Sequence, residues 1–211
     1  LKKLYEVTKD EKLKNEITKY DNYQYGKKIQ LNSAYGAIAN AFFLFYSREN
    51  AEAVTYTGQV VIRWAEIKLN EFLNDYFETT NVDYVIASDT DSLYVDLGLF
   101  VTRSKLTDKT EIINALDKFS DEVITKKFKE FFDDLIQDMN CPRNKLHMKR
   151  EGISEKAQWR AKKNYATLVW DNEGVRYKEP ELKIMGMESV RSSTPKVCRD
   201  ALTKSIMIMF T

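Results

Sequence analysis

Apolar residues recur at Leu31, Ala34, Ile38 and Phe42, the i, i+3, i+7, i+11 spacing of one helix face. The pattern predicts a helix that begins after Gly26 and ends before the polar connection Ser47-Arg48-Glu49-Asn50. A second helix is predicted over about 53–77, with Val61, Ala65, Leu69, Phe72 and Tyr76 as its buried stripe and Gly58 weakening its first turns. The period then changes. Tyr84-Val85-Ile86-Ala87 and Leu93-Tyr94-Val95 are short β-prone runs, and Ser88-Asp89-Thr90-Asp91-Ser92 between them predicts a hairpin with an acidic tip. A third helix fits about 109–139. Ile112, Leu116, Phe119 and Val123 give one stripe, which Ile124, Phe128, Phe131 and Leu135 continue with a slip of register.

After Pro142 strands return. Leu146 and Met148 alternate with His147 and Lys149. Residues 164–170 read as a strand closed by the turn Asp171-Asn172-Glu173-Gly174, and residues 181–187 as a further short strand. Ser192-Ser193-Thr194-Pro195 signals the start of a last helix, with Pro early in its first turn. Helices, an acidic hairpin, a helix, more strands and a helix predict an α+β fold in which helices cover one face of an antiparallel sheet.

Composition narrows this picture. The 211 residues fit one large domain or pieces of two, and 43% hydrophobic with 12% aromatic residues exclude disorder as the whole account. Cys141 and Cys198 form no C-x-x-C pair, so neither a disulfide scaffold nor a Cys/His zinc site is supported. His147 is the one histidine, which leaves a single candidate for any His-dependent triad. No apolar run is long enough to span a bilayer and no signal peptide opens the chain, so a cytosolic, reducing setting is expected. Leu1 opens the chain without a Met, and Thr211 follows directly on the apolar residues 206–210; a piece of a longer protein is expected.

The net charge of +1 conceals an uneven distribution. Residues 71–140 carry sixteen acids against seven bases, while residues 141–170 carry eight bases against two acids. A basic block beside an acidic one suits a phosphate-bearing partner near a metal site, although two solvated faces give the same arithmetic.

Four constellations are candidates for chemistry. Asp89 and Asp91 are two residues apart, so a regular strand points both one way, whereas a tight turn diverts one of them. Carboxylates at such a tip suit Mg2+, which takes one or two protein carboxylates and keeps its waters; Asp is also simply a good turn residue. Lys28, Asn32, Tyr35 and Gly36 share one helix face, where Lys can hold phosphate, Tyr can stack under a base pair and Gly admits a close approach. The alternative there is a mixed polar face. Lys162-Lys163-Asn164-Tyr165 opens a strand in the basic block; alternation puts Lys163 and Tyr165 on one face, ready for duplex phosphate or minor groove, unless the lysines merely protect an edge strand. Lys183 and the Ser-Ser-Thr-Pro helix start could reach phosphates, or the latter is only a cap.

Taken in order, these runs resemble family B DNA polymerases. Residues 28–36 match a K-x-x-x-N-S-x-Y-G motif, residues 88–92 resemble the D-T-D-S motif of the palm, and Lys163-Asn164-Tyr165 resembles a K-x-Y motif. Residues 182–196 closely resemble the replicative polymerases of T-even-type tailed phages, and the likeness covers nearly the whole chain from about residue 27. The resemblance implies a DNA-directed DNA polymerase that adds deoxynucleotides to a primer 3′-end by two-metal transfer, with 1–47 in the fingers, 48–190 most of the palm sheet, and 191–211 the start of a helical thumb. It implies catalytic roles for Asp91 and Asp89, with Asp91 the direct Mg2+ ligand. Lys28, Asn32 and Tyr35 are implied in nucleotide binding, and Gly36, Lys162, Lys163, Tyr165 and Lys183 in DNA binding. Glu151 is implied as an acid near the two ions, which are shared with an Asp outside this chain.

The same resemblance implies primer–template DNA and deoxynucleoside triphosphates as partners, a sliding clamp engaged outside these residues, no membrane, and the cytoplasm of an infected bacterial host. Ser88 stands where the family has Gly before the first Asp, and Lys149 where phage relatives carry an acid. The D-x-x-S-L-Y-P motif that carries the family's other metal-binding Asp is not in these residues, so the chain alone is expected to be inactive. The alternatives are a palm-like nucleic-acid-binding module without catalysis, one subunit of a divided polymerase, and a cyclase-like enzyme on a related sheet.

Overall fold

The computed structural model describes residues 1, 4–5 and 8–210, which divide into two compact units, 1–60 and 61–211. In the first, helix α1 (Glu11–Ile38) starts at Asp10, whose side chain accepts the Lys12 amide at 2.9 Å and so caps the first turn. It runs through Gly26 rather than beginning after it. One glycine costs a helix only about 1 kcal/mol, which a long helix absorbs. No described side chain of α1 is buried: Leu31 is 72% exposed, and Phe42, 99% exposed, lies past the helix end. Leu31, Ala34 and Ile38 therefore share a helix face that is not a core, and Phe42 lies off that face.

Helix α2 (Arg48–Tyr76) is capped by Ser47, whose hydroxyl accepts the Asn50 amide at 3.2 Å. It continues into the second unit, where Ala65 and Leu69 are fully buried as expected, together with Leu73 and the following Phe77. Strands β1 (Val85–Asp89) and β2 (Ser92–Val95) pair antiparallel with Asp89 opposite Ser92. Helix α3 (Gly98–Ser104), not foreseen from sequence, precedes α4 (Lys109–Phe119). The chain then makes a π-helical turn (Ser120–Ile124) and continues as α5 (Thr125–Asp138). This turn is the physical form of the slip in the apolar stripe. One wide turn admits an extra residue, so Phe119 before it and Phe128 and Phe132 after it still face one core. That core joins α2, the hairpin residues Tyr84 and Val85, and Phe119, Phe128 and Phe132.

The remaining strands, β3 (Gly152–Ala161), β4 (Asn164–Asn172) and β5 (Val175–Met185), form a second antiparallel sheet in the order β3-β4-β5. Helix α6 (Lys196–Phe210) lays Ile206 and Phe210 on Ala166 and Leu168 of β4, so one face of this sheet is helix-covered. The expectation of α+β holds, but the single sheet resolves into a two-stranded and a three-stranded one. Residues 144–151 are not assigned to either sheet and do not bridge them. No helix among the described residues is long and apolar enough to cross a membrane.

Candidate functional site

The acidic hairpin separates its two carboxylates. Asp89 is the last residue of β1 and half-buried, whereas Asp91 lies in the two-residue turn Thr90-Asp91 and is exposed. The turn is sharp: the Asp91 amide donates to the Asp89 carbonyl at 2.7 Å and Thr90 takes φ +58°. Asp89 Oδ1 accepts the Thr90 hydroxyl at 3.0 Å and lies 3.7 Å from Lys163 Nζ. The Asp91 carboxylate has no hydrogen-bond or ion-pair partner among the described residues. Ser88 pairs with Leu93 in ordinary strand conformation, so its position does not require the glycine found in the family.

A cleft of about 1010 Å³ opens within the second unit, with Asp91, Tyr94, Lys149, Glu151, Tyr165 and Lys183 among its walls. The extended residues 146–151 explain how Glu151 reaches it. Leu146 and Met148 are half-buried and pack on the core, while His147, Lys149 and Glu151 between and after them are exposed, and residues 147–151 all border the cleft. Arg150 anchors this segment from behind. Its guanidinium lies 2.6 Å from both Asp171 and Asp117, and Arg176 Nε donates to Asp171 at 2.8 Å. Burial opposes ionisation of Asp171, but hydrogen bonds from Arg150, Arg176 and the Gly174 amide outweigh it and hold the carboxyl below its ordinary range. The Glu173 amide also donates to the Glu151 carbonyl.

The cleft wall also carries aromatic side chains, Tyr94, Trp159 and Tyr165. Lys162 and Lys163 form the exposed turn between β3 and β4, with Lys163 at φ +58°. Lys163 thus owes its direction to a turn, not to the strand alternation expected from sequence. Tyr165, 7% exposed, accepts a 2.7 Å hydrogen bond from the Tyr94 hydroxyl. Trp159 stacks on Tyr165 and meets Tyr94 edge-on. Burial first, then the bond to Tyr165 and the negative field of Asp89 and Glu151, raises the Tyr94 phenol above its ordinary value, so it stays protonated. Lys183 stands exposed on β5 opposite Thr167.

Within the first unit, Lys28, Asn32, Tyr35 and Gly36 all lie on α1 and are exposed. The Tyr35 hydroxyl approaches the Ala51 carbonyl at 3.5 Å. A Cβ at Gly36 would meet nothing within 4 Å, so the chain itself does not demand glycine there.

Sequence reasoning did not single out Tyr94, Trp159, Arg150 or Asp171. A tyrosine in an otherwise apolar strand run was the available signal for Tyr94; the ion network had none, because Arg150 meets Asp171 and Asp117 only across 21 and 33 residues of chain. As for Mg2+, no three His, Cys, Asp or Glu side chains among the described residues converge as a ligand cluster. An exposed Asp91 carboxylate, partnerless among the described residues and on the same cleft as Glu151, fits part of a hard-oxygen donor set, since Mg2+ needs only one or two protein carboxylates beside waters and substrate phosphates.

Comparison with known proteins gives a coherent result. The model of DNA polymerase family B matches residues 2–211. The chain is 38% identical over 197 residues to the DNA-directed DNA polymerase of Escherichia phage RB69, covering 88% of this chain. It is 40% identical over 195 residues to the DNA-directed DNA polymerase of Enterobacteria phage T4, covering 87%. In both cases the match spans 22% of the relative's length.

Proposed function

Because the chain belongs to DNA polymerase family B, we propose that it supplies part of the nucleotide-adding centre of a DNA-directed DNA polymerase that copies a phage genome. Residues 1–47 belong to its fingers, 48–190 to most of its palm and 191–211 to the start of its thumb. Asp91 would hold metal at the hairpin tip, Asp89 shapes the tip through Thr90 and Lys163, and Glu151 adds negative field from the wall of the same cleft. Bound Mg2+ supplies charge neutralisation for the triphosphate and the primer hydroxyl. Lys28 on α1 binds the triphosphate as a point charge, with Asn32 and Tyr35 on the same helix at the nucleotide. Gly36, Lys162, Lys163, Tyr165 and Lys183 hold the primer–template duplex.

The reaction is an in-line displacement. The primer 3′-oxygen forms a bond to the α-phosphorus, the bond from that phosphorus to the bridging oxygen breaks, pyrophosphate leaves, and the hydroxyl proton passes to solvent. The chain's residues position the groups and balance charge; none becomes covalently attached.

The observation that carries this reading is the exposed Asp91 carboxylate, partnerless among the described residues, on a cleft that also holds Glu151, Tyr165 and Lys183. The test is Asp91→Ala in the complete polymerase carrying this chain. Primer extension is lost while duplex binding persists. Extension that survives the substitution favours a nucleic-acid-binding module instead. The isolated 211-residue chain is expected to show no template-dependent extension, since it offers an incomplete set of metal carboxylates.

A further inference from the structure

We propose that Tyr94 is a positioning residue whose hydroxyl bond to Tyr165 ties the duplex-holding strand to the acidic hairpin. The inference rests on the polymerase reading above. Tyr94 lies on β2, three residues after Asp91, and Tyr165 lies on β4, two residues after Lys163. Their hydroxyls meet at 2.7 Å. The rings stand 5.5 Å apart at 65°, and Trp159 closes on both at 5.1 Å and 6.0 Å.

The other described polar link between hairpin and sheet is the Lys163–Asp89 pair at 3.7 Å, with the Lys163 side chain 64% exposed. Such a pair is weak and screened by salt. The tyrosine bond is directional, partly buried and neutral, so salt does not loosen it. A duplex seated on the Lys162-Lys163 turn loads β4, and β4 passes that load to β2 through the Tyr165 and Tyr94 hydroxyls. The hairpin that carries Asp91 is thereby fixed in register with the primer end. The ring of Tyr94 serves packing; the hydroxyl serves position.

Tyr94→Phe separates the two, because it keeps the ring and removes only the hydroxyl. Tyr94→Phe, Tyr165→Phe and the double variant are made in the complete polymerase carrying this chain, with Asp91→Ala as reference. Thermal melting checks folding. Single-nucleotide incorporation is measured against Mg2+ concentration, and duplex affinity by anisotropy. Tyr94→Phe is expected to lower the maximal incorporation rate about tenfold and raise the half-saturating Mg2+ concentration, with duplex affinity changed by less than about twofold. The double variant is expected to be no slower than the slower single one, because both remove one bond. An unchanged rate and Mg2+ dependence in Tyr94→Phe, or fully additive single effects, overturns the inference while the reference variant upholds the polymerase reading. Wild-type protein that does not extend a primer, or an active Asp91→Ala, overturns that reading and this inference with it.

Discussion

Gly186 lies directly under the carbonyl of Lys163: a Cβ built on Gly186 would overlap the Lys163 oxygen. Gly186 also takes φ +68°, a conformation that L side chains rarely adopt. The basic turn between β3 and β4 therefore rests on the end of β5, and its direction is set by a residue with no side chain. Lys163 itself sits at φ +58°, so both partners in the contact hold unusual backbone.

Gly186→Ala consequently displaces the Lys162-Lys163 turn. Positive φ and the overlap together are expected to cost about 1–3 kcal/mol of stability. Calorimetry gives the stability loss, and duplex titration is expected to show weaker binding beyond what the lower stability explains.

Gly36→Ala is the opposite case. Outside the helix's own nearby backbone no atom lies within 4 Å of the added Cβ, and the residue is inside α1. Helix content by circular dichroism is expected to rise, with about 0.5–1 kcal/mol of helix stabilisation. Extension by the complete polymerase is nonetheless expected to fall, because the methyl would intrude on the close approach of the duplex proposed at Gly36. Unimpaired extension would remove Gly36 from the DNA-binding set.

Lys162→Ala and Lys163→Ala test the phosphate assignments. Each is expected to weaken duplex binding equally across sequences and to reduce the slope of log affinity against log salt by about 1. Sequence-dependent losses would point to base contacts instead.

Acid sensitivity follows from Asp171 and Glu155. Burial works against Asp171 ionisation, but Arg150, Arg176 and the Gly174 amide overcome it. The Trp170 indole N–H and Lys109 likewise hold Glu155 low, against desolvation. Both carboxyls are lower folded than unfolded, so their stabilisation is complete above the unfolded values near pH 4 and is lost as pH falls through the folded ones. Melting temperature is expected to be level from about pH 5 to 7 and to drop below about pH 4. Asp171→Ala strips a buried partner from two arginines and is expected to cost about 3–5 kcal/mol at neutral pH. Its acid slope should be shallower than that of the wild type.

Local patterns exposed much of this fold to sequence reasoning, and non-local ones did not. The hairpin was readable because two apolar runs flank an acidic turn. Which way Asp91 points was not, since that depends on the backbone at Thr90. The slip after Val123 was visible as a phase change, and the π-helical turn is its structural cause. Strand β3 escaped notice because most of its residues are exposed and half are polar, so no alternation of apolar positions marks it. The Tyr94–Tyr165 bond joins residues 71 apart, and the Gly186–Lys163 contact depends on one positive φ. Spacing on α1 correctly grouped Lys28, Asn32, Tyr35 and Gly36 on one helix, yet it also suggested a buried stripe where there is none.

That last feature has a thermal signature. Helix α1 is 28 residues long with no buried side chain, so its backbone bonds and its Asp10 cap hold it with little help from packing. In this chain its ellipticity should fade gradually on heating, ahead of the sharp transition of residues 61–211. If triphosphate binds at Lys28 as proposed, its binding free energy adds to the helical state alone. Helicity of α1 then becomes a gauge of occupancy, readable by spectroscopy before any catalysis occurs.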